Sequence, residues 1–289
     1  MIPFFLAVCF VLLLLIVFVR TSRRNWLKPE GEFPQHWKTI LLNKIGYYNS
    51  LSPENKILFE YKVHEFLLNC KITGIGIEIN DTDRLLTASS AIIPIFAFTN
   101  WKYHNLSEVL IYPDNFNETF QTGTDQNIMG MVGTGYMEDK MIISQKALYY
   151  GFNNQSDKKN TAIHEFVHLI DKADGVVDGI PELLLDKQYV MPWIELIRMK
   201  IEKIYEGSSD INPYGASSKT EFFAVVSEYF FENPKLLKEK HPLLYKYLQK
   251  IFKQPDILSK FKRSVKQKPR RNDVCLCGSG KKFKHCCGN

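Results

Sequence analysis

Every position from Ile2 to Val19 is apolar, so a helix over this run has no polar face. Such a helix extends about 27 Å, close to the hydrocarbon thickness of a bilayer. The pattern predicts one transmembrane helix at residues 1–19. Basic residues follow the run, at Arg20, Arg23, Arg24 and Lys28, whereas a secretory signal carries its basic segment first. The positive-inside rule then places everything after Arg20 in the cytoplasm, next to the inner membrane. Residues 20–32 read as a basic linker, and folding is expected to begin near Phe33.

Beyond the linker the apolar period alternates between that of helices and that of strands. Ser52 before Pro53 is a helix start, with a side-chain cap followed by a residue whose missing N–H costs nothing there. Ile57, Phe59, Tyr61, Val63, Phe66 and Leu67 carry that helix to about Asn69. Residues 72–79 alternate Ile with Gly or Glu and predict a strand, and 81–95 predict a second, buried helix containing Pro94. Residues 108–112 and 140–144 are strand-like, and Gly130, Gly133 and Gly135 between them read as hairpin turns. Helices are expected at 160–173, closed by Asp174-Gly175, at 192–205, at 220–231 up to Asn233-Pro234, and through the region 241–261.

The chain has 289 residues, 45% hydrophobic and 24% charged, enough for one sizeable core with appendages. Its formal net charge of +6 is concentrated at the two ends, in the early arginines and in a Lys/Arg run from Lys260 to Arg271. Anionic lipid explains that distribution more simply than nucleic acid. Four of the six cysteines, Cys275, Cys277, Cys286 and Cys287, crowd into the last fifteen residues, and thiols so placed in a reducing compartment read as metal ligands rather than disulfides.

Chemistry is concentrated at His164-Glu165-Phe166-Val167-His168. Histidines at i and i+4 share a helix face and can converge on one zinc ion, with Glu165 between them as general base. His64-Glu65 is not followed by a second histidine, so His64 reads as structural. A catalytic zinc needs a third protein ligand, and Glu221 and Glu228 both qualify as acids within an apolar helix. Asp171 is the favoured carboxylate to hold a histidine by its other ring N–H, with Glu228 the alternative.

Residues 160–175, reading NTAIHEFVHLIDKADG, together with Asn212-Pro213-Tyr214-Gly215 and the run from Glu221 to Phe231, resemble the Mlc titration factor family of zinc peptidases. That family is related to the catalytic domain of anthrax lethal factor. The resemblance implies an α+β, zincin-like peptidase domain over residues 33–262, mostly helical with a small mixed sheet. It also implies Glu221 as third zinc ligand and Tyr214 as the group that stabilises the oxyanion. Val225 stands where many such enzymes carry a further acid. Residues 271–289 resemble the SEC-C zinc motif of the SecA translocation ATPase, which implies a structural Zn²⁺ on Cys275, Cys277, Cys286 and Cys287 beyond a basic tether at 263–270.

Two zinc ions are thus expected, one catalytic and one structural. The expected activity is hydrolysis of a peptide or protein substrate by a membrane-tethered enzyme. The resemblances leave two other roles open: sequestration of a transcriptional repressor, and an adaptor that meets a protein, translocon or ribosome through the SEC-C tail.

Overall fold

The computed structural model describes residues 26–123, 125–154, 157–255, 271–272 and 281–285. The predicted membrane helix at 1–19, the linker up to residue 25, the whole tether at 263–270 and all four tail cysteines lie outside them. Among the described residues no helix is long and apolar enough to cross a membrane.

In chain order the elements are α1 (Gln35–Lys44), α2 (Gly46–Asn49), α3 (Pro53–Asn69), β1 (Lys71–Gly74), α4 (Asp81–Ile95), β2 (Glu108–Tyr112), β3 (Gly130–Val132) and β4 (Lys140–Ser144). Then come α5 (Gln145–Asn153), α6 (Thr161–Asp171), α7 (Val190–Tyr205), α8 (Lys219–Glu232), α9 (Pro234–Lys240) and α10 (Pro242–Ile251). The mixture is α+β, with a small mixed sheet beside a larger helical body. The four strands run in the order β1-β2-β4-β3. The first three are parallel, with Val109 opposite Met141 and Ile111 opposite Ile143, and β3 is an antiparallel edge strand whose Met131 faces Ile142.

Local sequence explains most of the boundaries. Ser52 caps α3 by accepting the Asn55 N–H, as its pairing with Pro53 predicts. Asn80 and Asp83 form a reciprocal capping box at the start of α4. Four differences from the sequence reading have physical causes. The predicted strand at 72–79 ends at Gly74, where a Cβ would lie 2.2 Å from the Ile77 carbonyl oxygen, and Gly76 then turns with φ +72°. Ile77 and Ile79 pack on the core from that turn. The region after Asn233 is two helices, α9 and α10, divided at His241-Pro242. Helices α1 and α5, short and with mixed periodicity, escaped the sequence pattern. Finally, the chain is already fastened at Leu27, whose N–H donates to Asn69 Oδ1 at 2.7 Å while Asn69 Nδ2 returns a bond to the Leu27 carbonyl at 2.8 Å.

The core runs through the middle of the molecule and buries most of the candidate helix α6. Phe166 of α6 meets Phe66 of α3 and Tyr103 edge-on. Phe223, Phe230 and Phe231 of α8 gather around Phe252. His64 packs against Phe33 and Trp37, and burial lowers its pKa, consistent with a structural role.

Candidate metal centre

Asn160 begins the site. Its Oδ1 caps α6 by accepting the Ile163 N–H at 3.1 Å, and Gly175, at φ +100°, closes the short 3₁₀ turn that follows the helix. Between these limits Ala162, Ile163, Phe166, Val167, Leu169 and Ile170 are buried. The opposite face carries His164, Glu165 and His168, which are buried or nearly so. Helix α8 crosses this face. Ser218 caps it by accepting the Glu221 N–H at 3.0 Å, which sets Glu221 in the first turn.

His164, His168 and Glu221 converge. His164 Nε2 lies 3.0 Å from Glu221 Oε2 and His168 Nε2 lies 3.5 Å from Glu221 Oε1. One ligand atom from each of the three lies within 4.8 Å of the others. Two imidazole nitrogens and a carboxylate oxygen are a donor set suited to Zn²⁺, and the convergence of three such atoms at a partly buried point fits a metal ion. Glu228 strengthens the fit, because its Oε1 lies 2.8 Å from His164 Nδ1. A proton shared there leaves the Nε2 lone pair for the metal.

The charged groups of the cluster act strongly on one another. Burial pulls the His164 pKa down, but the carboxylates of Glu221 and Glu228 more than reverse it, leaving the imidazole well above the ordinary histidine range. Burial likewise opposes ionisation of Glu221, yet the two histidines hold its pKa well below the usual carboxylate range. Glu165 is pushed up by its burial, against the pull of His164 and His168. Its Oε2 has no hydrogen-bond partner among the described residues.

Tyr214 stands on the 3₁₀ turn Pro213–Ala216, started by Asn212, whose Oδ1 accepts the Tyr214 N–H at 3.0 Å. Its ring centroid is 6.1 Å from that of His164. The side chain is 55% exposed, so it stands at the mouth of the site. Partial burial, then the charges of Glu221 and Glu165, raise its pKa and keep the phenol a hydrogen-bond donor.

The profile of the glucose-regulated metallopeptidase M90 family matches residues 19–253. The chain belongs to this family. The SEC-C motif profile matches residues 271–289. An uncharacterised protein of Synechocystis is 29% identical over 231 residues, covering 76% of this chain and 84% of its own. Mlc titration factor A of Pectobacterium atrosepticum is 24% identical over 253 residues, covering 82% and 92%. Its counterpart in Escherichia fergusonii is 25% identical over 253 residues, covering 81% and 93%. M90 membership gives the chain a metallopeptidase-type function.

Two residues around this cluster, Asn160 and Glu232, escaped the sequence reading, and Asp171 lies elsewhere than expected. Asp171, the favoured partner for a histidine ring, is buried and accepts the Gly179 N–H at 2.8 Å. It thereby ties down the loop after α6, while Glu228 takes the histidine. Glu232 joins the same network: its Oε1 accepts from Asn160 Nδ2 at 2.9 Å, and the Asn160 N–H donates to Glu228 Oε2 at 2.6 Å. Burial raises the Glu232 pKa well above the ordinary carboxylate value, with the neighbouring Asp157 and Glu228 charges acting in the same direction and the Asn160 bond opposing. The signal was present, because Glu221, Glu228 and Glu232 at i, i+7 and i+11 form one stripe along an otherwise apolar helix. Val225 of that stripe packs under Gly215, where a Cβ would lie 3.2 Å from Val225 Cγ1.

Gly130 corrects the reading of the central glycines as hairpin turns. It opens the edge strand β3 and passes so close to α6 that a Cβ would lie 2.8 Å from Glu165 Cγ and Oε1 and 2.9 Å from Thr161 Cγ2. Only glycine lets the strand approach Glu165 in this way. Gly135, with φ +60°, does serve a turn.

Proposed function

We propose that this chain is a membrane-tethered zinc peptidase in which His164, His168 and Glu221 hold the catalytic ion. The observation that carries the reading is the convergence of these three donors beside a buried Glu165 whose Oε2 has no hydrogen-bond partner among the described residues. When bound, zinc lowers the pKa of water toward about 7 and polarises the scissile carbonyl. Glu165 accepts the proton of the attacking water and then delivers it to the amine that leaves. Burial suits it to this exchange, because the raised proton affinity lets it hold the proton between the two transfers. Tyr214 donates its phenolic hydrogen to the carbonyl oxygen as that oxygen gains negative charge. Glu228 holds His164 in the required tautomer and Asn160 holds Glu228.

In this reading residues 1–19 span the inner membrane and the peptidase domain faces the cytoplasm. A second zinc on Cys275, Cys277, Cys286 and Cys287 folds the tail, whose short length supplies little core of its own. Two relatives are named as titration factors of Mlc, which supports a second role in binding a protein partner such as a transcriptional repressor. An intact Glu165 favours hydrolysis as the primary role, since a pure binder has no use for a base.

The test is zinc counting and peptide-library cleavage on the full chain in detergent, beside Glu165→Gln. Two zinc ions per chain and cleavage that vanishes in Glu165→Gln, with zinc retained, are expected. Turnover retained in Glu165→Gln would sink the mechanism, and one zinc without cleavage would favour the binding role.

A further inference from the structure

The outward face of α3 is apolar where a surface helix normally carries polar residues. Ile57, Tyr61 and Leu68, at i, i+4 and i+11, share one stripe and are 68%, 40% and 42% exposed. His64, at i+7, completes the stripe. Leu58 beside it is exposed, and so is Leu27, which is fastened to the end of α3 through Asn69. Aromatic rings lie beside the strip. Phe33 and Trp37 pack edge-on against His64, and Trp26 lies under Lys102, which is paired with Glu65 of α3. From Ile57 to Leu68 the strip is about 16 Å long, and an exposed apolar patch of this kind marks a surface that something covers.

The far side of α3 settles where this face lies relative to the metal centre. Phe66, turned inward, meets Phe166 of α6 with ring centroids 5.7 Å apart. Phe166 is on the side of α6 opposite His164 and His168, two residues from each. The apolar strip and the cleft therefore occupy opposite faces of the domain, with α3 and α6 between them.

The chain enters this face at Trp26. Arg20, Arg23 and Arg24 precede it, and before them comes the wholly apolar run 2–19. The seven residues from Val19 to Trp26 reach at most about 25 Å when extended, so a bilayer holding the run lies within that distance of Trp26, whose neighbour Leu27 is fastened to the end of α3.

Resting on the reading of residues 1–19 as a membrane span, we propose that the strip formed by Ile57, Tyr61, Leu68 and Leu27 lies on the anionic lipid surface beside that span. Apolar side chains enter the headgroup boundary, and the positive charges of Arg20, Arg23, Arg24 and Lys28 in the adjoining sequence favour an anionic surface. The domain then rests on the membrane by its back, and the cleft opens into the aqueous phase. Its substrates are accordingly polypeptides reached from solution rather than segments inside the bilayer.

The test uses the full chain in vesicles of phosphatidylcholine with and without phosphatidylglycerol. Tyr61→Cys and Tyr136→Cys are each labelled with an environment-sensitive fluorophore, and the identically treated parent serves as blank. Tyr136 is an exposed residue in the turn between β3 and β4, on the sheet edge away from α3. Alkaline extraction reports anchoring, and quenching by spin-labelled lipid reports contact. Expected are extraction-resistant protein and quenching several-fold stronger at 61 than at 136, greater with phosphatidylglycerol, and reduced by adding Ile57→Glu and Leu68→Glu. Equal quenching at the two positions in extraction-resistant protein overturns the proposal and leaves the anchor standing. Selective quenching at 61 in extractable protein keeps the face and removes the anchor, whereas extractable protein without quenching removes both. A shielded position 61 in detergent, together with a doubled mass, assigns the strip to a second copy of the chain and overturns the lipid occupant.

Discussion

Replacing Glu228 by glutamine tests the network that holds His164. Two donors end on this carboxylate, the Asn160 N–H at 2.6 Å from Oε2 and His164 Nδ1 at 2.8 Å from Oε1. Glutamine keeps the shape but offers one acceptor oxygen, so its NH₂ must face one of the two donors. If the NH₂ faces the histidine, Nδ1 must become the acceptor and the proton moves to Nε2, where it blocks the metal. If it faces Asn160, a buried N–H at the start of α6 loses its partner, at a cost of about 1–3 kcal/mol. Either arrangement should weaken zinc binding about 10–100-fold, equivalent to roughly 1.4–2.8 kcal/mol. Zinc affinity is read by competition with a chromophoric chelator, and the melting temperature of the metal-free form reads the structural share. Glu221→Ala should bind no catalytic zinc at all, which separates ligand from orienting residue. A Glu228→Gln variant with the parent's zinc affinity and the parent's apo melting temperature would refute the reasoning.

Gly130→Ala places a methyl group against Glu165 and Thr161, so β3 or Glu165 must shift; turnover should fall about 100-fold with zinc content unchanged, and undiminished turnover would count against the role given to this approach. Asp171 is pushed up to about 6 by burial, against about 3.9 when unfolded. A raised folded pKa contributes stability below pH about 4 that is lost as the pH rises through about 6. Asp171→Asn, which keeps an acceptor for the Gly179 N–H, should therefore melt higher than the parent at pH 7.5, by on the order of 1–2 kcal/mol, and converge with it near pH 4. Identical melting at pH 7.5, or a loss of zinc affinity, would contradict the anchoring role. Asp210 accepts from Lys158 at 2.7 Å and from Tyr229 at 2.8 Å, and its Oδ1 lies 2.7 Å from His241 Nε2. Burial opposes its ionisation, but these bonds hold its pKa far below the ordinary range, so its stabilisation is present above pH about 4 and is lost as the pH falls. Asp210→Asn should cost about 1–3 kcal/mol at pH 7 and flatten the acid limb of the melting curve; parallel curves for variant and parent would exclude this.

The sequence by itself determined the local elements and the chemical types. Caps such as Ser52 before Pro53 and the apolar periodicity around His164 and His168 act within a few residues, so α3 and α6 were legible without any partner in view. Glu221 and Glu228 of α8 were visible too, because a carboxylate inside an apolar helix needs a reason. Only tertiary structure decided which acid does what. Glu221, Glu228 and Glu232 share one stripe, and it is the crossing of α8 over α6 that gives Glu221 to both Nε2 atoms, Glu228 to His164 Nδ1 and Glu232 to Asn160. Asp171, three residues from His168 in sequence, turned instead to Gly179, because the loop after α6 folds back past it. Gly130 shows the same divide. Thirty-five positions separate it from Glu165, and no local rule foretold that the two would touch; the need for glycine came from the approach of an edge strand to a packed helix. Helix starts are governed by hydrogen bonds between near neighbours, whereas a metal centre is made by side chains that the chain brings together only once its core has closed.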